Sequence, residues 1–190
     1  MPGLLFPAVM RLAYGVVRCG NGAMKIRLVS AFLFLALIAL GGRPALADCS
    51  ELPRAGVNWR SCNLSGLSFA GAELAGANLR NASLSNTDLS DADLSGADGY
   101  RVRFVEATLV GATFDGASIT DARLDRADLT GASMRGVQAR NASFLFATLI
   151  DVDFTGANLS RVDFTGADLS GATWTDGVKI CAQGSVGICR

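Results

Sequence analysis

Residues 72–96 read AELAG ANLRN ASLSN TDLSD ADLSG. Each group of five opens on a small residue, follows with a polar one, and places a large apolar residue third. The last two positions are rich in Ser, Gly, Asp and Arg. Working outward, the register runs over residues 57–176 without a slip. The large residue, here called the centre, recurs at every fifth position from Trp59 to Trp174, which makes 24 centres. Only Gly99 and Ala139 are small. A fixed short period is the mark of a solenoid. Five fits neither the 3.6 of a helix nor the 2 of a strand, so the repeating unit is a short straight side with a corner after it. The small residue two before each centre sits where a bulky side chain would block the interior.

Triplets such as Ala77-Asn78-Leu79, Ala82-Ser83-Leu84 and Ala92-Asp93-Leu94 carry a family resemblance. The pattern A-(D/N)-L-x-x resembles the pentapeptide-repeat family over about 120 of the 190 residues. That resemblance implies an all-β fold, a right-handed quadrilateral parallel β-helix with one pentapeptide per side and about six coils. At a strand spacing of about 4.8 Å the rod would be roughly 25–30 Å long.

Grouping centres twenty apart yields four sides. Side one has Trp59, Leu79, Gly99, Ile119, Ala139 and Leu159; side two has Leu64, Leu84, Phe104, Leu124, Phe144 and Phe164. Side three runs from Phe69 to Leu169, and side four from Leu74 to Trp174. These columns are the expected core. The holes at Gly99 and Ala139 are expected to be filled by leaning phenylalanines, Phe104 with Phe114 and Phe144 with Phe154. On the outside, side one carries Arg60, Arg80, Arg101, Arg140 and Arg161 against Asp98 and Asp121, whereas side three carries only acids. The rod is expected to be basic on one side and acidic on the opposite one. This charge reads either as a solvated surface, with Asp favoured before the centre by turn chemistry, or as a docking surface. Leu145-Phe146 interrupts a position otherwise held by Gly, Asn or a charge, and is the local candidate for a protein contact. Val110 and Ile150 form a second apolar pair on side three.

The ends differ in composition. The first 47 residues hold five positive charges and no acid, while the remainder carries 12 positive and 17 negative charges. Met24-Lys25-Ile26-Arg27, an apolar run over residues 28–40 and Ala45-Leu46-Ala47 are the three regions of a secretory signal peptide. Thirteen apolar residues are too few to span about 30 Å of hydrocarbon. The expected plan is an upstream extension at 1–23, a signal peptide at 24–47 and an N-terminal cap at 48–56. The β-helix follows at 57–176, and a cysteine-closed cap at 177–190. The tail is similar to the closed ends of exported pentapeptide-repeat proteins. Four cysteines remain in the mature part, an even number that suits an oxidising compartment. In a rod of the implied length, Cys49 and Cys62 lie at one end and Cys181 and Cys189 at the other. The ends are about 25 Å apart by strand spacing, whereas a disulfide needs Cα atoms within about 7 Å. The expected pairs are therefore Cys49–Cys62 and Cys181–Cys189.

No catalytic constellation is legible. There is no histidine in the chain, hence no Ser-His-Asp or Cys-His pair, and the carboxylates recur only because the repeat does. The chain reads as a non-enzyme without cofactor or metal. Two functions stand open. One is an exported scaffold, periplasmic or secreted, that binds a protein partner and neither nucleic acid nor, once the leader is removed, membrane. The other comes from the resemblance, since some pentapeptide-repeat proteins mimic B-form DNA and bind DNA gyrase.

Overall fold

A computed structural model describes residues 48–190; the extension at 1–23 and the signal peptide at 24–47 lie outside the described residues. Within 58–173 the backbone closes on itself every twenty residues. Parallel bridges join Asn58 to Asn78, Asn63 to Ser83, Ser68 to Asp88 and Glu73 to Asp93, and the same step recurs up each side to Asn158, Asp163, Asp168 and Thr173. Four sides of five residues account for the step, and the result is a quadrilateral parallel β-helix. Each bridge is a pair of backbone bonds, as in Trp59 N–H to Asn78 O at 2.9 Å and Asn78 N–H to Val57 O at 2.8 Å.

The corners follow from backbone sterics. Every fifth residue from Gly56 to Gly171 has φ between +56° and +75°. At most corners the N–H three residues after a centre bonds back to that centre's carbonyl, as from Cys62 to Trp59 at 3.0 Å. A four-residue turn with φ positive at its third residue is a type II turn, which asks for Gly or Asn there. Half of the column is glycine; the rest is Asn, Asp, Ser, Arg, Glu and, at one corner, Phe146.

Centres point inward. Leu74, Leu84, Leu89, Leu94, Phe104, Leu109, Phe144 and Phe154 are fully buried, and so are the small residues between them, such as Ala77, Ala82 and Ala92. Each buried Leu or Phe contributes about 1.5–3 kcal/mol. Thr87 takes a small-residue position and satisfies its hydroxyl by donating to Leu64 O at 3.3 Å.

The space beside Gly99 is filled differently from expectation. The atoms nearest to where a Cβ would stand are Val102 Cγ1 at 3.0 Å, Ile119 Cγ2 at 3.4 Å and Ser118 O at 3.4 Å. A valine in the small-residue position after the corner supplies the volume, because its branched Cβ carries a methyl back toward Gly99. Phe104 and Phe114 meet each other edge to face at 5.8 Å. In the coil of Ala139 the rings engage the next coil: Phe144 stacks on Phe164 at 5.5 Å, and Phe154 meets Phe164 and Trp174 at 6.1 and 6.0 Å.

Both ends are pinned. Cys49 and Cys62 form a disulfide, and above the first coil Trp59 Nε1 donates to Glu51 O at 3.2 Å. At the other end Cys181 and Cys189 are joined. The chain there reverses, pairing antiparallel through Asp168 with Val186 and Thr173 with Ile180. The tail thus lies over sides three and four.

Candidate protein-contact face

The five arginines of side one do not form one basic surface. Arg80 Nη1 holds Asp98 at 3.0 Å and its guanidinium lies 4.7 Å from the Tyr100 ring centre. Arg101 lies 4.9 Å from the same ring and reaches Asp121 at 3.6 Å. These two are matched by the carboxylates that sequence counting set against them. Among the described residues Arg60, Arg140 and Arg161 have no ion pair, and Arg60 sits at the opposite end of the side. Arg140 and Arg161 line one polar cleft of about 340 Å³ with Thr120, Asn141, Asn158 and Ser160. Asp121 is also in its wall, engaged by Asn141 Nδ2 at 2.9 Å.

Leu145 and Phe146 stand on the next corner, between sides two and three. Leu145 is half-buried, but Phe146 is 60% exposed. Its ring lies over Gly166 of the following coil, in the space a Cβ there would need. With Val105, Arg123, Asp125 and Arg126 the pair lines a second cleft of about 210 Å³. Asp125 is nearly buried and braces that wall, accepting from Arg123 Nε at 3.0 Å, from Arg123 Nη2 at 2.8 Å and from the Ser143 hydroxyl. Val110 and Ile150 are both half-buried. The C-terminal half of side two is therefore flanked by two unpaired arginines on one corner and an exposed aromatic on the other.

Phe146 sits at φ +56°, where a bulky side chain crowds its own backbone at a cost of about 1–2 kcal/mol. Nothing in the core requires it, since glycine serves half of the corners in the column. Phe146→Gly is expected to raise folding stability by about 1 kcal/mol, read as a higher urea midpoint at unchanged slope. A lower midpoint would mean that the ring's packing on Gly166 outweighs the backbone strain.

Several aspartates of sides three and four, Asp93 and Asp153 among them, have a local task. Asp88 Oδ1 accepts from Ser90 N–H at 3.1 Å and Oγ at 2.7 Å; Asp128 does the same with Thr130, and Asp168 with Ser170. Asp before the centre and Ser or Thr after it is a readable signal for a side chain that braces the corner. The N–H and hydroxyl of Ser90 hold the Asp88 carboxyl below its ordinary pKa, and the hydroxyl and N–H of Thr165 do so for Asp163. A folded pKa below the unfolded value of about 3.9 contributes stability that is fully present above that value. It is lost as pH falls through the folded values. The melting temperature is expected to be level from pH 7 to about 5 and to fall below about pH 4. Asp163→Asn should soften the acid decline while keeping the turn, because Asn158 already braces Ser160 the same way at 3.2 and 2.7 Å. An unchanged acid limb in that variant would exclude Asp163 from the effect.

Among the described residues no group of three or more His, Cys, Asp or Glu side chains is placed to hold a metal ion. A family model described as pentapeptide repeats matches residues 57–98, 100–136 and 140–173 in eight copies, more than half of the chain. The chain belongs to the pentapeptide repeat family. No curated protein gives a significant match to it. Solved structures of other pentapeptide repeat proteins are similar at low identity. QnrB1, a plasmid-mediated fluoroquinolone resistance protein, is 21% identical over 60% of this chain and 73% of its own, with a TM-score of 0.40. HetL, involved in heterocyst differentiation regulation in the cyanobacterium Nostoc sp. strain PCC 7120, is 22% identical over 65% and 81%, with a TM-score of 0.31. A pentapeptide repeat protein of the Arabidopsis thaliana thylakoid lumen is 23% identical over 68% and 84%, with a TM-score of 0.23.

For this pentapeptide repeat chain, sequence reasoning found the exposed aromatic and the arginines but missed their partners. Arg123 and Asp125 count only as balanced charges of side two when residues are grouped by side, and Tyr100 and Asn158 carry no charge to count, so neither corner is visible that way. The signal was the twenty-residue step, which stacks Asp121 on Arg101 and Arg161 on Asn141.

Proposed function

We propose that the chain is an exported, non-catalytic scaffold that binds a protein partner in the periplasm or outside the cell. In this reading it is a right-handed rod of about six coils. The observation that carries the proposal is the disulfide at each end, Cys49–Cys62 and Cys181–Cys189. Such bonds persist in oxidising compartments and are rare in the cytosol. The leader pattern before Asp48 supports the same location. The working face is the C-terminal half of side two, where Phe146 spends stability on an exposed ring and Arg140 and Arg161 stand unpaired. Cell fractionation and N-terminal sequencing test this: mature protein is expected in the envelope or medium, beginning at Asp48, with both disulfides found by peptide mapping without reduction. A reduced chain in the cytoplasm beginning at Met1 or Met24 would overturn it. The competing reading, a DNA mimic acting on gyrase, draws on the acids of sides three and four. Bracing of corners accounts for several of them without a partner, among them Asp88, Asp128, Asp153 and Asp168, and inhibition or protection of purified gyrase in a supercoiling assay would restore that reading.

A further inference from the structure

The tail closes only half of the last coil. On sides three and four its backbone takes up most of the ladder: Leu169 N–H donates to Ser185 O at 2.8 Å, Gly171 N–H to Cys181 O at 2.9 Å and Trp174 N–H to Lys179 O at 2.7 Å. In return Ala167 O accepts from Gly187 N–H at 2.9 Å and Ala172 O from Cys181 N–H at 2.8 Å. Sides one and two receive nothing. One coil below, Ala139, Asn141 and Phe144 donate upward to Asn158, Ser160 and Asp163, while Val137 O and Ala142 O accept from Asn158 and Asp163. Their counterparts on the last coil are Leu159, Arg161 and Phe164 N–H with Ala157 and Val162 O, and none of these has a partner among the described residues. The apolar floor beneath is open too. Leu159, Val162 and Phe164 are half-buried, whereas Leu79, Val102 and Phe104 on the same sides are fully buried.

We propose that this edge, over residues 157–164, binds an extended acidic segment of a partner protein by strand addition. The proposal rests on the protein-binding reading above and names the chemistry of its partner. An unpaired edge supplies main-chain hydrogen bonds to an incoming strand, and neighbouring side chains select it. Here the selecting groups are Arg140 and Arg161, which have no ion pair among the described residues and share the cleft with Asp121, a carboxylate already engaged by Asn141 and Arg101. Carboxylates on the incoming segment complete them. The tail shows that the same coil already accepts an antiparallel strand. A second copy is the poorer occupant. Pairing two such edges about a two-fold axis brings each Arg161 toward its equivalent, with like charges facing across the contact.

The test uses the mature disulfide-bonded chain and two labelled hexapeptides, one alternating Glu and Val, the other alternating Lys and Val. The acidic peptide is expected to bind, to protect the Leu159, Arg161 and Phe164 amides from hydrogen exchange, and to leave Leu169 and Gly171 unchanged. Arg140→Ala with Arg161→Ala should weaken it by about tenfold, equivalent to about 1.4 kcal/mol. Arg140→Glu with Arg161→Glu should transfer preference to the basic peptide. Circular dichroism confirms that the variants fold. Equal binding of both peptides, or binding that leaves those three amides unprotected, would overturn the proposal. So would their protection by concentration-dependent dimerisation without peptide. This assay decides the edge alone, since export is decided separately by fractionation.

Discussion

Replacing Cys181 and Cys189 with serine is expected to cost about 2–4 kcal/mol, and to release the tail before the coils unfold. The disulfide closes a short loop, with a sequence separation of 8, so most of its effect is on the entropy of the open tail. Apart from the backbone bonds to the last coil, apolar burial holds little of that segment. Val178, Ile180, Val186 and Ile188 are all more than half exposed, and Lys179 Nζ reaches Cys189 O at 3.0 Å from the surface. What the tail protects is larger than itself. Once it leaves, the N–H groups of Leu169, Gly171 and Trp174 lose their acceptors, and sides three and four become open like sides one and two. In a solenoid each coil is stabilised by its neighbours, so the exposed coil should fray next. Hydrogen exchange on the double variant is expected to show those three amides opening well below the global unfolding free energy, with Leu109 and Leu129 still protected. If all amides instead lose protection together, the tail is part of one cooperative unit and not a detachable cap.

How far the fold could be read from sequence depends on the range of the force that decides each feature. The period, the four columns and the inward centres are local and repeated, so Leu74, Leu94 and Phe104 could be placed in the core directly. The two cysteine pairs followed once the ends were known to be far apart. Corner geometry was readable but passed over: Gly56, Gly66, Gly71 and Gly76 fall two after a centre or its equivalent, and that spacing is the demand for positive φ. Phe146 was singled out as an exception in its position, and the backbone shows why it is one. Residues 178–190 have no period, and which sides they cover is set by long-range backbone pairing with Ala167, Leu169, Ala172 and Trp174. No local pattern foretells that sides one and two stay open. The charge surface was half legible, because setting five arginines against Asp98 and Asp121 gives the net charge of side one but not that the two acids pair with Arg80 and Arg101 and leave Arg140 and Arg161 without an ion pair.

Gly99→Leu restores what the repeat asks for at a centre, and is nevertheless expected to destabilise the chain by about 1–3 kcal/mol through overpacking. Gly99 has an ordinary backbone conformation, so no strain opposes a side chain there. The obstacle is Val102, whose Cγ1 would stand 3.0 Å from the new Cβ, with Ile119 Cγ2 closing the far side at 3.4 Å. Val102 is fully buried, in a position that most repeats give to alanine. Val102→Ala alone removes two buried methyl groups, worth about 1.6 kcal/mol at about 0.8 each, with a further loss for the hole left beside Gly99. Each substitution is thus harmful for the opposite reason, one adding volume and the other removing it. Made together they return the coil to the common pattern of small residue and large centre. Their combined cost should fall at least about 1 kcal/mol short of the sum of the single costs, the range found for contacting residues. Urea unfolding of the parent, both single variants and the double variant measures that difference. Simple additivity would mean that Val102 is not what occupies the space. The edge-to-face contact of Phe104 with Phe114 would then be the filler, and Phe114→Leu the substitution that makes room for a leucine at 99.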